Sequence, residues 1–151
     1  AYLNDSRASY DYVLIDCPPS LSLLTIMALV ASNSLVVPLQ TEFFALEGLT
    51  QLMKTIDRIK NNLNPSLIIK GILLTMYDKR NKLSSEVEKE ARQYFKEKVY
   101  QTIVPRNVRL SEAPSHGVPV LKYDQSCPGS KAYFSFTEEF LNQEKIMESA
   151  A

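Results

Sequence analysis

Two hydrophobic spacings alternate along the chain. Short apolar runs typical of strands occur at 10–16, 35–39, 67–76, 99–104 and 118–121. Apolar residues at helical spacing occupy 21–32, 45–63, 84–96 and 129–147. The third run is almost continuously apolar, which is typical of a strand covered on both faces. Strands and helices alternating at this spacing predict an α/β fold with a parallel sheet and right-handed crossovers.

Individual boundaries follow from capping and stop signals. Ser20 is expected to cap the first helix, and Ser84–Ser85 followed by Glu88 predicts a capping box for the third. In open α/β sheets, ligands bind beyond the carboxyl ends of the strands. The loops expected there are Asp16–Ser20, Gln40–Leu46, Tyr77–Ser84 and Pro105–Gly117.

Length, composition and charge are those of an ordinary globular protein and do not indicate a particular binding partner. With 151 residues, 45% hydrophobic and 23% charged, the chain is predicted to form a single domain over 1–151. Lys+Arg and Asp+Glu are 17 each, so any DNA or membrane contact must come from local clustering. Two cysteines, no signal peptide and no long apolar run favour a cytoplasmic protein. Since Ala1 is not Met, we expect that residues upstream have been lost or are encoded elsewhere.

The segment Tyr10–Ser20, YDYVLIDCPPS, carries the most specific chemistry. Its apolar run ends on Asp16, and prolines then force a break, as in a Walker B strand whose acid faces a nucleotide-bound Mg²⁺. An aspartate that only caps the following turn is the alternative. The 151 residues contain no G-x-x-x-x-G-K-[ST] phosphate loop, so the chain is expected to hold half of a nucleotide site.

Four strings at these loops resemble one family. They are VLIDCPPSLSLLT, VVPLQTEFFALEGL, ILLTMYDKRNKLSSEV and IVPRNVRLSEAPSHGVPV, and they resemble the ParA/Soj partitioning ATPases of the deviant-Walker, MinD-like P-loop group. The resemblance covers about residues 10–141 and implies a parallel sheet flanked by helices, an incomplete P-loop NTPase fold of SIMIBI or MinD-like type. Family members begin with a KGGxGKT loop and a second acidic motif, and neither is present here.

The resemblance also implies roles for individual residues. Asp16 would be the catalytic acid that holds Mg²⁺ through water. The loops that would approach the adenine of ATP carry Met76, Tyr77, Pro105, Arg106 and Asn107, although ordinary loop residues are an equal alternative. Arg80 and Arg109 match positions that bind DNA without sequence preference, against the alternative of solvated surface arginines.

The implied function is chromosome or plasmid partitioning. The intact protein would be an ATP-dependent homodimer, bound to nonspecific DNA at the nucleoid and stimulated by a ParB-like partner. The chain alone is expected to be inactive, because the phosphate-binding lysines lie outside it. Two alternatives are an inactive split or decayed fragment acting as a binding module, and a MinD-like membrane-cycling ATPase. The acidic tail FTEEFLNQEKIMESAA argues against membrane contact. A missing central strand should also leave an unpaired sheet edge, so dimerisation, swapping or aggregation is expected.

Overall fold

A computed structural model describes residues 10–18 and 22–149 of the chain. Its helices are α1 (Leu23–Ala31), α2 (Ala45–Asn62), α3 (Lys82–Phe95), α4 (Val108–Glu112), α5 (Val120–Tyr123) and α6 (Pro128–Ser149). Its strands are β1 (Ser34–Gln40), β2 (Ile68–Tyr77) and β3 (Val99–Pro105). Short 3-10 helices follow α3 at Lys96–Lys98 and α4 at Ala113–His116.

Within the described residues, the strands form one parallel sheet in the order β1-β2-β3. The predicted central strand is confirmed, since β2 pairs on both sides and is buried from Lys70 to Leu74. Helices α2 and α3 cover one face of the sheet, and α6 covers the other. The predicted parallel sheet flanked by helices is therefore confirmed.

Each face has its own apolar core. On the first face the buried residues are Val37, Leu39, Leu49, Ile72, Leu74, Ala91 and Val99. On the second, Leu73, Tyr100 and Val104 pack against aromatic side chains of α6. Successive strand residues point to opposite faces, so the near-continuous apolar run of β2 supplies both cores. Helix α1 packs on α2 in a third cluster around Leu29 and Ile56.

The Glu139 carboxylate of α6 fixes this helix to the sheet. The pairing of β2 with β3 is irregular between Ile72 and Leu74, where the register jumps from Val99 to Ile103. Within this irregular stretch the Glu139 carboxylate accepts hydrogen bonds from the consecutive N–H groups of Gln101 and Thr102, at 2.7 and 2.8 Å. Backbone donors at a bulge need such partners, so Glu139 both satisfies them and anchors α6.

The strand predicted at 10–16 is wrong. Residues 10–18 form no regular structure, and Leu14, in the middle of the apolar run, is 90% exposed. An extended segment becomes a strand only when a neighbour pairs with its backbone groups. Strand β1 pairs with β2 alone within the described residues, and no ladder joins it to residues 10–18.

Two smaller expectations also need correction. The run 118–121 is not a strand, because Val120–Tyr123 is a helical turn preceded by Pro119. The third helix begins at Lys82 rather than at Ser84, because the Asn81 side chain caps it by accepting the Leu83 N–H at 3.0 Å. Ser20, the expected cap of the first helix, lies outside the described residues. In the described ranges, no helix is long and apolar enough to cross a bilayer.

Candidate functional site

The loops that follow the three strands meet at the carboxyl edge of the sheet. The Thr41 N–H donates to the Thr75 carbonyl at 3.1 Å, which ties the end of β1 to β2. The Arg106 N–H donates to the Tyr77 carbonyl at 2.9 Å, which ties the end of β3 to β2. Parallel topology therefore places the predicted ligand loops after β1, β2 and β3 side by side.

An open cavity of about 330 Å³ lies between these loops. Its lining residues are Thr41, Glu42, Met76, Asp78, Asn81, Leu83, Ser84 and Arg106. Ligand cavities usually measure about 300–1,000 Å³, so the size is within range. Met76 supplies apolar surface at the end of β2, in a backbone conformation with φ +55° that L-residues rarely adopt. Such strain persists only where the surrounding structure imposes it, and it is found most often at binding sites.

Buried hydroxyl groups hold the floor of this cavity. Thr41 and Ser84 are both buried, and their hydroxyl oxygens lie 3.3 Å apart. The Ser84 hydroxyl lies 3.4 Å from the Thr41 carbonyl and accepts the Asp78 N–H at 3.5 Å. These contacts join the loop after β1 to the first turn of α3 and to the loop after β2. They fix the position of Asp78 relative to the cavity.

Arg106 separates this cavity from a second one. Its guanidinium group forms an ion pair with Glu42, which also lines the first cavity, at 3.4 Å between Nη2 and Oε1. The second cavity measures about 570 Å³. It is lined by Arg106, Asn107, Val108, Arg109, Asp124, Ser126, Cys127 and Pro128. The Asp124 carboxylate caps the start of α6 by accepting the N–H groups of Ser126 and Cys127, and the hydrogen bonds of Ser126 lower its pKa.

The structure brings together some of the predicted adenine-binding residues and not others. Met76 lines the first cavity, Arg106 lines both, and Asn107 lines the second. Tyr77 and Pro105 line neither cavity. The Tyr77 hydroxyl instead bonds to Glu88 of α3, and this hydrogen bond to a carboxylate raises the tyrosine pKa.

Arg80 lies on the loop after β2 and is held by Asp78. The Arg80 Nε and Nη2 atoms donate to the two carboxylate oxygens at 3.1 Å each, and the Arg80 backbone N–H donates to Oδ1 at 3.0 Å. The side-chain hydrogen bond from Arg80 lowers the pKa of the Asp78 carboxyl, and Asp78 in turn raises the pKa of Arg80. The Arg80 side chain is nevertheless 90% exposed, so its outer face is open to solvent.

Arg109 lies on α4 and is held by two carboxylates. Its Nη1 atom lies 2.8 Å from Glu112 Oε2, and its Nε atom lies 3.6 Å from Asp124 Oδ2. The guanidinium carbon lies 5.9 Å from the centre of the Tyr123 ring, whose hydroxyl donates to Glu112 at 3.3 Å. The hydrogen bond to Glu112 raises the pKa of Arg109.

Asp16 is exposed and lines neither cavity. In the parts of the chain that the structure describes, no group of three or more His, Cys, Asp or Glu side chains is arranged to hold a metal ion. Pro19 and Ser20, which complete the predicted loop after Asp16, lie outside those parts.

Sequence reasoning missed the acidic partners of the arginines. It gave no chemistry to Glu112 or Asp124, and it did not pair Glu42 with Arg106. Glu42 and Arg106 are 64 positions apart, so no local pattern indicates their contact. The pair Arg109 and Glu112 has i,i+3 spacing, which could have indicated it had α4 been predicted.

The chain is similar in sequence to curated partitioning proteins and to one family model. A family model described as an AAA domain matches residues 1–69. The chromosome partitioning protein ParA of Caulobacter vibrioides is 56% identical over 146 residues, which are 97% of this chain and 55% of that protein. The sporulation initiation inhibitor protein Soj of Bacillus subtilis is 53% identical over 133 residues, 88% of this chain and 53% of that protein. The chain thus spans about half the length of the curated relatives it matches.

Solved structures agree on the fold. Cobyrinic acid a,c-diamide synthase from Mycobacterium smegmatis, with bound ATP analog and magnesium, superposes with a TM-score of 0.78 at 31% identity. The match covers 95% of this chain and 52% of that one. The cell division ATPase MinD of Pyrococcus furiosus superposes with a TM-score of 0.74 at 21% identity, over 93% of this chain and 56% of that one. The expected MinD-like P-loop NTPase fold, present here in part, is confirmed.

Proposed function

The chain belongs to the ParA/Soj family of chromosome-partitioning ATPases, and from this premise we propose that it is the DNA-binding and base-binding part of a partitioning ATPase. The observation that carries the proposal is the 56% identity to ParA over 97% of the chain. The intact protein would bind ATP and Mg²⁺, form a homodimer, coat DNA at the nucleoid and respond to a ParB-like partner.

The cavities at the carboxyl edge support a role in holding the adenosine end of ATP. Met76 offers an apolar surface for a purine face, and Arg106 and Asn107 add polar groups beside it. The ion pair between Glu42 and Arg106 keeps the arginine at the boundary of both cavities. Tyr77 contributes through its carbonyl, which receives the Arg106 N–H, and Pro105 ends β3 just before that contact.

Asp16 is the residue proposed to hold Mg²⁺. This ion is usually bound by one or two carboxylates together with substrate phosphates and water, so a single exposed carboxylate is a suitable donor. When bound, the ion would neutralise charge on the phosphate oxygens. Besides Asp16, the chain would contribute the residues that hold the base, and the phosphate-binding lysines of the family are absent from these 151 residues.

Arg80 and Arg109 are proposed to contact DNA phosphates. They follow the neighbouring strands β2 and β3, Arg80 on a loop and Arg109 on α4, with Lys79, Lys82 and Arg106 close by in sequence. A protein with equal numbers of acidic and basic residues needs such a local basic surface to bind DNA. Because each protomer offers few contacts, dimerisation would raise the avidity and so couple DNA binding to the nucleotide.

Fluorescence anisotropy of a labelled DNA duplex, titrated with the chain at low salt, tests the DNA contact. Arg80→Ala and Arg109→Ala should each weaken binding, because one phosphate contact is lost. The matched control is Arg58→Ala, an exposed arginine in the last part of α2, at the opposite end of the sheet. Equal binding by all four proteins would overturn the DNA-contact proposal.

The isolated chain should not turn over ATP, because it contains no phosphate loop. A phosphate-release assay with Mg²⁺ present checks this, and measurable Mg²⁺-dependent turnover would contradict it.

A binding module without activity is the second candidate function. It is favoured by the irregular backbone around Asp16, since a Walker B acid needs a strand to present it. Isothermal titration calorimetry with ATP distinguishes the two: a module that only binds DNA would give no heat of nucleotide binding, whereas a base-binding half would.

A further inference from the structure

Both arginines proposed to bind DNA already pair with a carboxylate two or three positions away in the sequence. Arg80 makes three hydrogen bonds with Asp78, and Arg109 makes a 2.8 Å ion pair with Glu112. A phosphate that takes the Nε and Nη2 edge of Arg80, or the Nη1 atom of Arg109, competes with the carboxylate already bound there. The two ion pairs therefore compete with any DNA contact made by these arginines.

We propose that Asp78 and Glu112 act as competing anions, which compete with DNA phosphates for Arg80 and Arg109. The inference rests on the proposed DNA contact and adds to it two acidic residues that set its strength. Their effect is to keep the affinity of a single protomer low, so that stable attachment depends on a second protomer. Neither carboxylate touches DNA in this scheme, and each acts through its arginine as a positioning residue.

The geometry at Arg80 suits an exchangeable contact. Asp78 engages Nε and Nη2, while 90% of the arginine side chain stays exposed. Asp78 itself is fixed, because its N–H donates to the buried Ser84 hydroxyl. A fixed acid beside an exposed base favours return of the arginine whenever phosphate leaves.

The geometry at Arg109 is similar but includes more groups. Glu112 is oriented by the Tyr123 hydroxyl at 3.3 Å, and the Tyr123 ring lies beside the guanidinium group. Asp124, at 3.6 Å, is a weaker partner because it also caps α6. Glu112 is therefore the carboxylate to alter, since its removal leaves the start of α6 intact.

The two substitutions Asp78→Asn and Glu112→Gln remove a negative charge while keeping an oxygen acceptor. In Asp78→Asn, Oδ1 can still accept the Arg80 backbone N–H, so the loop is retained. Exposed ion pairs are weak, so each change should tighten DNA binding by about twofold to fivefold. The salt slope should become steeper by up to about 1, because the unaltered carboxylate takes up a cation when phosphate displaces it.

Asp57→Asn is the matched control, because it makes the same charge change at an exposed position of α2, toward the end of that helix away from the carboxyl edge. It should change both affinity and salt slope much less than Asp78→Asn does. If Asp57→Asn changed the DNA affinity and the salt slope as much as Asp78→Asn does, the cause would be a general charge effect and the inference would be overturned. A merely structural role for Asp78 or Glu112 predicts weaker binding in the variants, which would also overturn it.

The same titrations distinguish failure of the proposed DNA contact from failure of the competing-anion inference. If Arg80→Ala and Arg109→Ala bind as the unaltered chain does, the proposed function fails and the inference fails with it. If these variants weaken binding while Asp78→Asn and Glu112→Gln leave affinity and slope unchanged, only the competing-anion inference is refuted.

Discussion

Tyr100→Phe should stabilise the protein, and the gain should grow at high pH. The Tyr100 side chain is 1% exposed between β2 and α6, and its hydroxyl has no hydrogen-bond partner within the described residues. A buried, unsatisfied polar group costs about 1–3 kcal/mol. The ring also makes an edge contact with Phe136, which phenylalanine would keep. We expect Tyr100→Phe to raise the free energy of unfolding by about 1 kcal/mol at neutral pH.

The pH dependence follows from the same burial. Desolvation, with a smaller effect of the Glu139 charge, raises the pKa of Tyr100 from 10.0 to about 12. Between these values the unfolded chain loses the phenolic proton while the folded chain keeps it, so the unfolded state binds fewer protons. Stability therefore falls as pH rises, by about 1.4 kcal/mol from about pH 9 to about pH 11 for this one group. Phenylalanine removes that loss.

Urea unfolding followed by circular dichroism at these two pH values measures both effects. Other groups also titrate in this range, so the quantity of interest is the difference between Tyr100→Phe and the unaltered chain. Tyr94→Phe is the control, because Tyr94 is 82% exposed and its change should stay within about 0.5 kcal/mol. A Tyr100→Phe protein that is less stable at neutral pH, or whose advantage does not grow with pH, would refute the reasoning.

Three further substitutions test the packing around Tyr100, the helix propensity of α2 and the anchoring of α6. Gly71→Ala should destabilise the protein by about 1–3 kcal/mol in urea unfolding, because the new Cβ would lie 2.4 Å from the Tyr100 ring. An unchanged urea midpoint would show that the ring can move aside. Gly48→Ala, on α2 with nothing within 4 Å, should instead stabilise by about 0.5–1 kcal/mol, and a loss would argue against its open surroundings. Glu139→Gln should lower the free energy of unfolding by about 1–2 kcal/mol. It should also speed hydrogen exchange of the two β3 amide groups that donate to the carboxylate, whereas unchanged exchange would contradict the anchoring role.

The parts of the fold that the sequence predicts well are those in which burial alone decides the structure. The run at 67–76 became β2 because both of its faces are covered, and the apolar face at 45–63 became α2. The run at 10–16 has an equally apolar pattern, yet it is not a strand, because strand formation also depends on a partner for the backbone. At 118–121 four residues are too few to separate a strand from a helical turn, and Pro119 favours a helix start.

The sequence predicted where the loops of the candidate site lie, but not which side chains contact one another there. Parallel topology alone brings the loops after β1, β2 and β3 to one edge, where Met76, Arg106 and Asn107 line cavities. That these residues bind adenine stays a prediction. The side chain of Tyr77 turns instead to Glu88 of α3, a contact that depends on how the helix packs. The acid partners of the arginines likewise depend on tertiary contacts, as the pair of Glu42 and Arg106 illustrates.

The most direct measurement of the central claim is an amide chemical-shift map of the isotopically labelled chain titrated with nonspecific duplex DNA at low salt. If the carboxyl edge binds phosphates through Arg80 and Arg109, the largest shifts should fall on residues 78–81 and 106–112. The turn around Asn64 and Leu67, at the opposite end of the sheet, should stay unchanged. Shifts concentrated at that turn, or spread evenly over the chain, would contradict the account.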